Sequence, residues 1–414
     1  MKKITEYLVL AIILLGVPFL CATIFGHEEL LAAVKQFPPR TEDFHLHPEL
    51  LWNVRRPFNW IAFLLMVAVV WFDFLKPLVK RIAAVWGTPH YQRTAMERTA
   101  LATCLRQAGF ARQICPYQSS TSFPWWGWLG LVLMIGAWVL SWSRFEWFRP
   151  YQVMCSYFPI WLGFITVMNA LCVRRSGHCP ATDHPLVYLI SFPASSLFWW
   201  FFEYLDRYVW NWYYRGISEL SAFKYVVYAT ICFASVLPAV MAVAAYLRTF
   251  RIFDDDVFKG MAKIDLYSIK SRVTLLIISL VGLLGIVIAP DWTYPFIWIS
   301  PLTAFLLIQV LFKEKSAVID AIARGDWSLY FRYGIATLVC GICWETWNYY
   351  ALAKWVYAVP WVHRWQIWEM PVIGFAGYLP FGSECAVVLA WLYSAFGIDF
   401  NETKIEIKKV EVES

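Results

Sequence analysis

Charge is what this sequence has least of. Only 15% of its 414 residues are Asp, Glu, Lys or Arg, against about 25% in an ordinary soluble domain. That deficit excludes a soluble enzyme, a disordered chain and a nucleic-acid-binding protein. Nucleotide and hydrolase signatures are missing too. There is no Walker loop, no G-x-G-x-x-G before a helix, no G-x-S-x-G and no H-E-x-x-H. Histidine is scarce, at seven residues, and too dispersed for a haem pair across two spans. His45-Leu46-His47, with His27, Glu42 and Asp43 nearby, reads more simply as a solvated loop than as a metal site, and His178-Cys179 with Asp183-His184 matches no standard zinc spacing. No metal site is read, and no motif names a cofactor.

What is present is apolar and aromatic: 60% of the residues are hydrophobic, with 25 Trp, 22 Tyr and 31 Phe. Apolar runs of bilayer-crossing length lie near 7–25, 59–75, 125–142, 152–172, 186–206, 221–245, 273–289, 295–312, 328–347 and 371–396. They predict an all-α polytopic membrane protein of about 10 transmembrane helices. Of the 35 Lys and Arg, 23 fall in the N-terminus and in 76–124, 173–185, 246–272, 313–327 and 398–414, while the alternate loops hold 10. The positive-inside rule then puts both termini in the cytoplasm. Met1-Lys2-Lys3 ahead of the first run reads as an uncleaved signal anchor.

A shift of 142 residues lays Glu203 on Glu345, Pro159 on Pro301, Tyr188 on Tyr330, and Phe233-Ala234-x-x-Leu237-Pro238 on Phe375-Ala376-x-x-Leu379-Pro380. Matching prolines and an intramembrane acid at one ungapped offset point to a duplication. Four spans per half is an even number, so the two repeats are parallel. The expected organisation is two N-terminal helices with an outer loop (1–75), a basic cytoplasmic amphipathic segment (76–124) and a first membrane repeat (125–250). A cytoplasmic linker (251–272), a second repeat (273–397) and a charged tail (398–414) follow. Segment 89–112, with Arg93, Arg98, Arg106 and Arg112 between apolar residues, reads as a helix on anionic lipid or a protein-docking helix.

Acids in apolar spans are costly, so Glu203, Glu345, Glu369 and Glu384 are the candidate catalytic groups. Asp206 and Asn348, three residues beyond Glu203 and Glu345, share their helix faces. Glu369 and Glu384 align with Val227 and Ala242, so only the second half carries them. The alternative is structural: carboxylates bonding backbone groups freed by Pro371 and Pro380. The outer loops beside these acids are rich in aromatic residues. Asn348, Trp347, Trp355, Tyr357, His363, Arg364 and Asp206 are the candidate substrate-binding residues, the rings for an apolar tail and the polar groups for a head. Cys340-Gly341-Ile342-Cys343 inside a span reads as small-residue packing or a redox pair. Asp254-Asp255-Asp256 reads as a solvated turn.

The stretch from Trp344-Glu345-Thr346-Trp347-Asn348 through Trp368-Glu369-Met370-Pro371 to Leu379-Pro380-Phe381-Gly382-Ser383-Glu384-Cys385 resembles a group of bacterial polytopic membrane proteins, a resemblance that implies an inner-membrane location and no activity. More distantly, an acid, a Trp-x-Tyr ten residues on and a Glu beside a Pro before a span are similar to the membrane lycopene cyclase domain. That similarity implies an isoprenoid substrate, although Glu369-Met370-Pro371 replaces that family's Pro-x-Glu-Glu. Three functions follow as expectations: an enzyme or binder acting on a lipid or isoprenoid near the outer face, a proton-coupled secondary transporter, or a non-catalytic membrane subunit docking partners through 76–124. Membrane lipids are the expected partners, and nucleic acid is not.

Overall fold

The structure, a computed structural model, describes residues 2–26, 30–31, 56–86, 122–152, 157–217, 220–254, 256–314, 316–398 and 400. Segment 89–112, the loop around His45, Asp255 and the tail beyond 400 lie outside the described residues. Each of the ten apolar runs is helical over most of its described length. Helix α1 covers 2–25 and α2 60–86, each interrupted by a π-turn, Ile12–Gly16 and Trp71–Leu75. Then come α3 (Trp125–Trp142), α4 (Tyr157–Ser176), α5 (Pro185–Val209), α6 (Ala222–Arg248, broken at Ala234), α7 (Ile269–Ile288), α8 (Phe296–Leu311), α9 (Ala317–Arg324), α10 (Ser328–Tyr349) and α11 (Tyr378–Ala395). A 3₁₀ turn, Val372–Gly377, leads into α11.

Among the described residues, eight helices are long and apolar enough to cross a membrane: α1 to α7, and α11 with its leading turn. The other two runs differ for separate reasons. Helix α8 has 16 residues, which is short, and α10 has 22 but carries Arg332, Glu345 and Asn348. Helix starts follow local chemistry, with Asn59, Ser221, Ser268 and Ser316 accepting from the backbone three residues on.

Small residues set the closest helix contacts. Helix α3 packs on α4 where a Cβ on Gly163 would stand 2.5 Å from the Met134 backbone nitrogen. Helix α11 packs on α10 where a Cβ on Gly382 would stand 2.5 Å from the Tyr333 carbonyl oxygen. The core lies between α4, the second part of α6, α8, α10 and α11. Helix α2 is different, with no buried residue between Trp60 and Val70. It is tied at its ends. Asn59 N–H donates to the Trp361 carbonyl (2.7 Å), and Phe58, Trp60 and Phe63 surround Trp365. At the other end Arg81 donates to the Val257 and Lys259 carbonyls, and Phe74 packs with Phe331.

Two short antiparallel strand pairs interrupt the helices. Strand β1 (Trp212–Arg215) follows α5 and β2 (Lys354–Tyr357) follows α10. They pair in the register Trp212 with Tyr357, Tyr213 with Val356 and Tyr214 with Trp355. Strands β3 (Gln366–Ile367) and β4 (Met370–Pro371) form a tight second pair.

Candidate functional site

Each of the two long helices α5 and α10 ends in an acid that organises the strand following it. Glu203, one and a half turns before the end of α5, accepts from Tyr214 Oη (2.6 Å), Trp199 Nε1 (3.0 Å) and Trp212 Nε1 (3.1 Å). Glu345, in the last turns of α10, accepts from Tyr357 Oη (2.6 Å), Tyr378 Oη (3.0 Å) and Trp355 Nε1 (3.4 Å). Trp355 Nε1 also donates to Tyr357 Oη at 2.8 Å. Both acids are buried, Glu345 completely. A Trp-x-Tyr strand therefore hangs from each glutamate.

The residue three positions on closes the turn. Asp206 Oδ1 accepts from the Asn211 backbone (2.8 Å), and Asn348 both accepts from the Trp355 backbone (2.9 Å) and donates to its carbonyl (2.7 Å). Trp210 takes a left-handed conformation (φ 54°) to turn the chain from α5 into β1. Burial, then the neighbouring carboxylate, holds the Tyr214 and Tyr357 phenols well above the usual range, which keeps them hydrogen-bond donors.

One difference between the two arrangements explains Gly341. In the first, Trp199 sits four residues before the acid and donates to it. In the second that position is Gly341, and a Cβ there would fall 2.3 Å from the Tyr378 ring. Tyr378, whose counterpart 142 residues earlier is Val236, fills the space and supplies the missing donor. The glycine of Cys340-Gly341-Ile342-Cys343 makes room for this ring. Both cysteines are free thiols, Cys340 fully buried.

The rings held this way form one wall of a cavity of about 720 Å³. Trp199, Trp212, Tyr214, Trp355, Tyr357 and Tyr378 all line it, together with Trp298, Trp344, Phe381 and the inward face of α2 from Leu65 to Phe74. Along α10 it extends from Tyr330 to Trp344, about 21 Å at the helical rise. Glu203, Glu345 and Glu384 are not among its lining residues; Asp73 is.

The remaining candidates have separate places. Glu369 is an ion pair with Lys354 beside the strands. Glu384 is buried in α11, its carboxyl facing the Leu302 backbone. Neither of its oxygens has a hydrogen-bond partner of ordinary geometry among the described residues. Trp347 is core, packed on Trp161 and Phe164. His363 is buried beside Gln366, and burial pushes its imidazole down to about 4. Arg364 is exposed and stacks on Phe58 and Trp365. Of the sequence candidates, only Trp355 and Tyr357 line the cavity. His178 pairs with Asp183 (3.3 Å), and among the described residues no group of three or more His, Cys, Asp or Glu is placed to hold a metal.

Trp199, Trp212, Tyr214 and Tyr378 were not singled out from the sequence. The available signal was Trp-x-Tyr repeated after each glutamate. It stands at an offset of 143, one residue out of step with the 142 that aligns the acids, so an ungapped comparison passes over it.

No protein-family profile matches the chain, and comparison with curated proteins and with solved structures finds no match.

Proposed function

We propose that the protein is a multi-pass protein of the bacterial cytoplasmic membrane that binds the apolar chain of a lipid or isoprenoid. The carrying observation is the cavity: its volume falls in the range of small-molecule sites, and its lining is almost wholly apolar and aromatic. The carboxylates lie behind the rings they orient, so Glu203 and Glu345 act as positioning residues for the cavity wall. That geometry favours binding over acid–base chemistry by these two groups.

In this reading the chain is two tandem parallel four-helix repeats after two N-terminal helices, with both termini cytoplasmic. The β1–β2 register supports it: Trp212 meets Tyr357 and Tyr214 meets Trp355, the pairing a twofold axis between equivalent Trp-x-Tyr strands would give. Proton-coupled transport is a second reading, favoured by Glu384, a core acid whose oxygens have no hydrogen-bond partner of ordinary geometry among the described residues. The test is native mass spectrometry of the protein purified in mild detergent, with lipid extraction. A co-purifying apolar ligand that is lost when Ala229→Trp or Ala376→Trp fills the cavity is the expected result. Identical ligand content in wild type and both variants overturns the reading.

A further inference from the structure

Among the described residues, Asp73 is the only charged side chain in the cavity lining. It sits at the end opposite the strands, where the π-turn Trp71–Leu75 interrupts α2. Such turns are rare and concentrate at functional positions because they re-aim a side chain against its helix. Asp73 Oδ2 accepts from Tyr330 Oη at 2.6 Å, and Tyr330 lines the same end. Phe74, the next residue, is buried against Phe331 and Tyr330 and closes the floor beneath them. The cations nearby are directed elsewhere. Lys76 lies over the Phe72 ring (4.9 Å) and Arg81 is spent on the Val257 and Lys259 carbonyls. Neither lines the cavity.

Resting on the ligand-binding reading above, the geometry points to a long-chain amphiphile with a hydrogen-bond-donating head. The head, an amine or an alcohol, sits at Asp73 beside Tyr330, and the chain runs toward the β1–β2 strands. A phosphate or carboxylate head is disfavoured because it would place like charge against Asp73, with no cation among the described lining residues to offset it. An ammonium head gains both the carboxylate and the face of the Tyr330 ring. The length agrees: the Tyr330-to-Trp344 wall covers about two-thirds of the roughly 30 Å hydrocarbon core, which suits a single extended chain.

The test is competition. Full-length protein is released from detergent micelles in a native mass spectrometer after incubation with an equimolar mixture of hexadecylamine, hexadecanol and hexadecyl phosphate. Wild type is expected to carry amine over phosphate by about tenfold or more, the ratio one charge-assisted hydrogen bond supports, with alcohol between. Asp73→Asn is expected to bring the three within a few-fold of one another. Tyr330→Phe, which frees an Asp73 oxygen, is expected to keep or raise the amine preference. Equal adducts on wild type, an unchanged ranking in Asp73→Asn, or loss of the amine preference in Tyr330→Phe overturns the assignment of the head. If none of the three amphiphiles binds and Ala229→Trp changes no adduct, the ligand-binding reading itself fails, which is a separate result.

Discussion

Tyr357→Phe and Tyr214→Phe make a matched pair of perturbations that test the glutamate-centred walls. Each removes one hydroxyl and leaves a ring of the same shape, so cavity volume is kept and only hydrogen bonding changes. Tyr214 Oη donates to Glu203 (2.6 Å). Tyr357 Oη donates to Glu345 (2.6 Å) and accepts from Trp355 Nε1 (2.8 Å). A buried bond to a carboxyl group contributes about 1–3 kcal/mol and a neutral one about 1 kcal/mol. The expected losses are therefore about 1–3 kcal/mol for Tyr214→Phe and about 2–4 kcal/mol for Tyr357→Phe. Some of the second is recovered if the Trp355 indole, already 3.4 Å from Glu345 Oε1, closes on it. Unfolding by sodium dodecyl sulfate in mixed micelles, followed by tryptophan fluorescence, measures both. A cycle with Glu345→Gln is expected to show a coupling of about 1 kcal/mol or more with Tyr357→Phe and about zero with Tyr214→Phe. A Tyr357→Phe variant no weaker than Tyr214→Phe, together with no coupling to Glu345, refutes the account of how that wall is held.

Other perturbations probe different parts of the molecule. Gly382→Ala pushes a methyl group to 2.5 Å from the Tyr333 carbonyl oxygen and 2.6 Å from the Gly334 nitrogen, both backbone. It should destabilise by about 1–3 kcal/mol and lower ligand retention, since α11 carries Tyr378; unchanged thermal stability would count against that packing. Gly341→Ala collides with the Tyr378 ring, and the loss should be relieved by adding Tyr378→Val, measured as melting temperature of the single and double variants. His363, held at about 4 by burial, protonates in the unfolded chain near its ordinary 6.5 but not in the folded one. Its contribution is thus complete above about pH 6.5 and is lost as pH falls toward 4, by up to about 3 kcal/mol. His363→Gln should flatten that slope in pH-dependent unfolding.

Helices were legible in the sequence because their signal is local. Apolar runs near 125–142 and 221–245 became Trp125–Trp142 and Ala222–Arg248 with little change at their ends. The apolar run ends near 75, but α2 continues to Trp86 on an amphipathic face beyond it. The acids were legible because charge in an apolar run is conspicuous. Their surroundings were not. Strands of four residues have no length over which alternation builds a pattern, and the partner of Trp212 lies at Tyr357. Tyr378 was invisible for a related reason: it reaches Glu345 only because Gly341 lacks a side chain, a relation between two helices. Asp73 lies in the apolar run 59–75 yet is not among the candidate acids; the π-turn that places it in the cavity lining is not revealed by hydrophobic periodicity.

The tethering of α2 sets an order of assembly. Its inward face, Leu65 to Phe74, meets cavity walls supplied by residues 294–299 and 330–381, and its ends are fastened to Trp361, Val257 and Lys259. During synthesis this early helix waits without its partners until most of the chain has been made. The cavity is therefore a late product of folding, and a chain cut before β2 would leave the Asn59 end of the second helix without the Trp361 carbonyl and the Trp365 ring that fasten it.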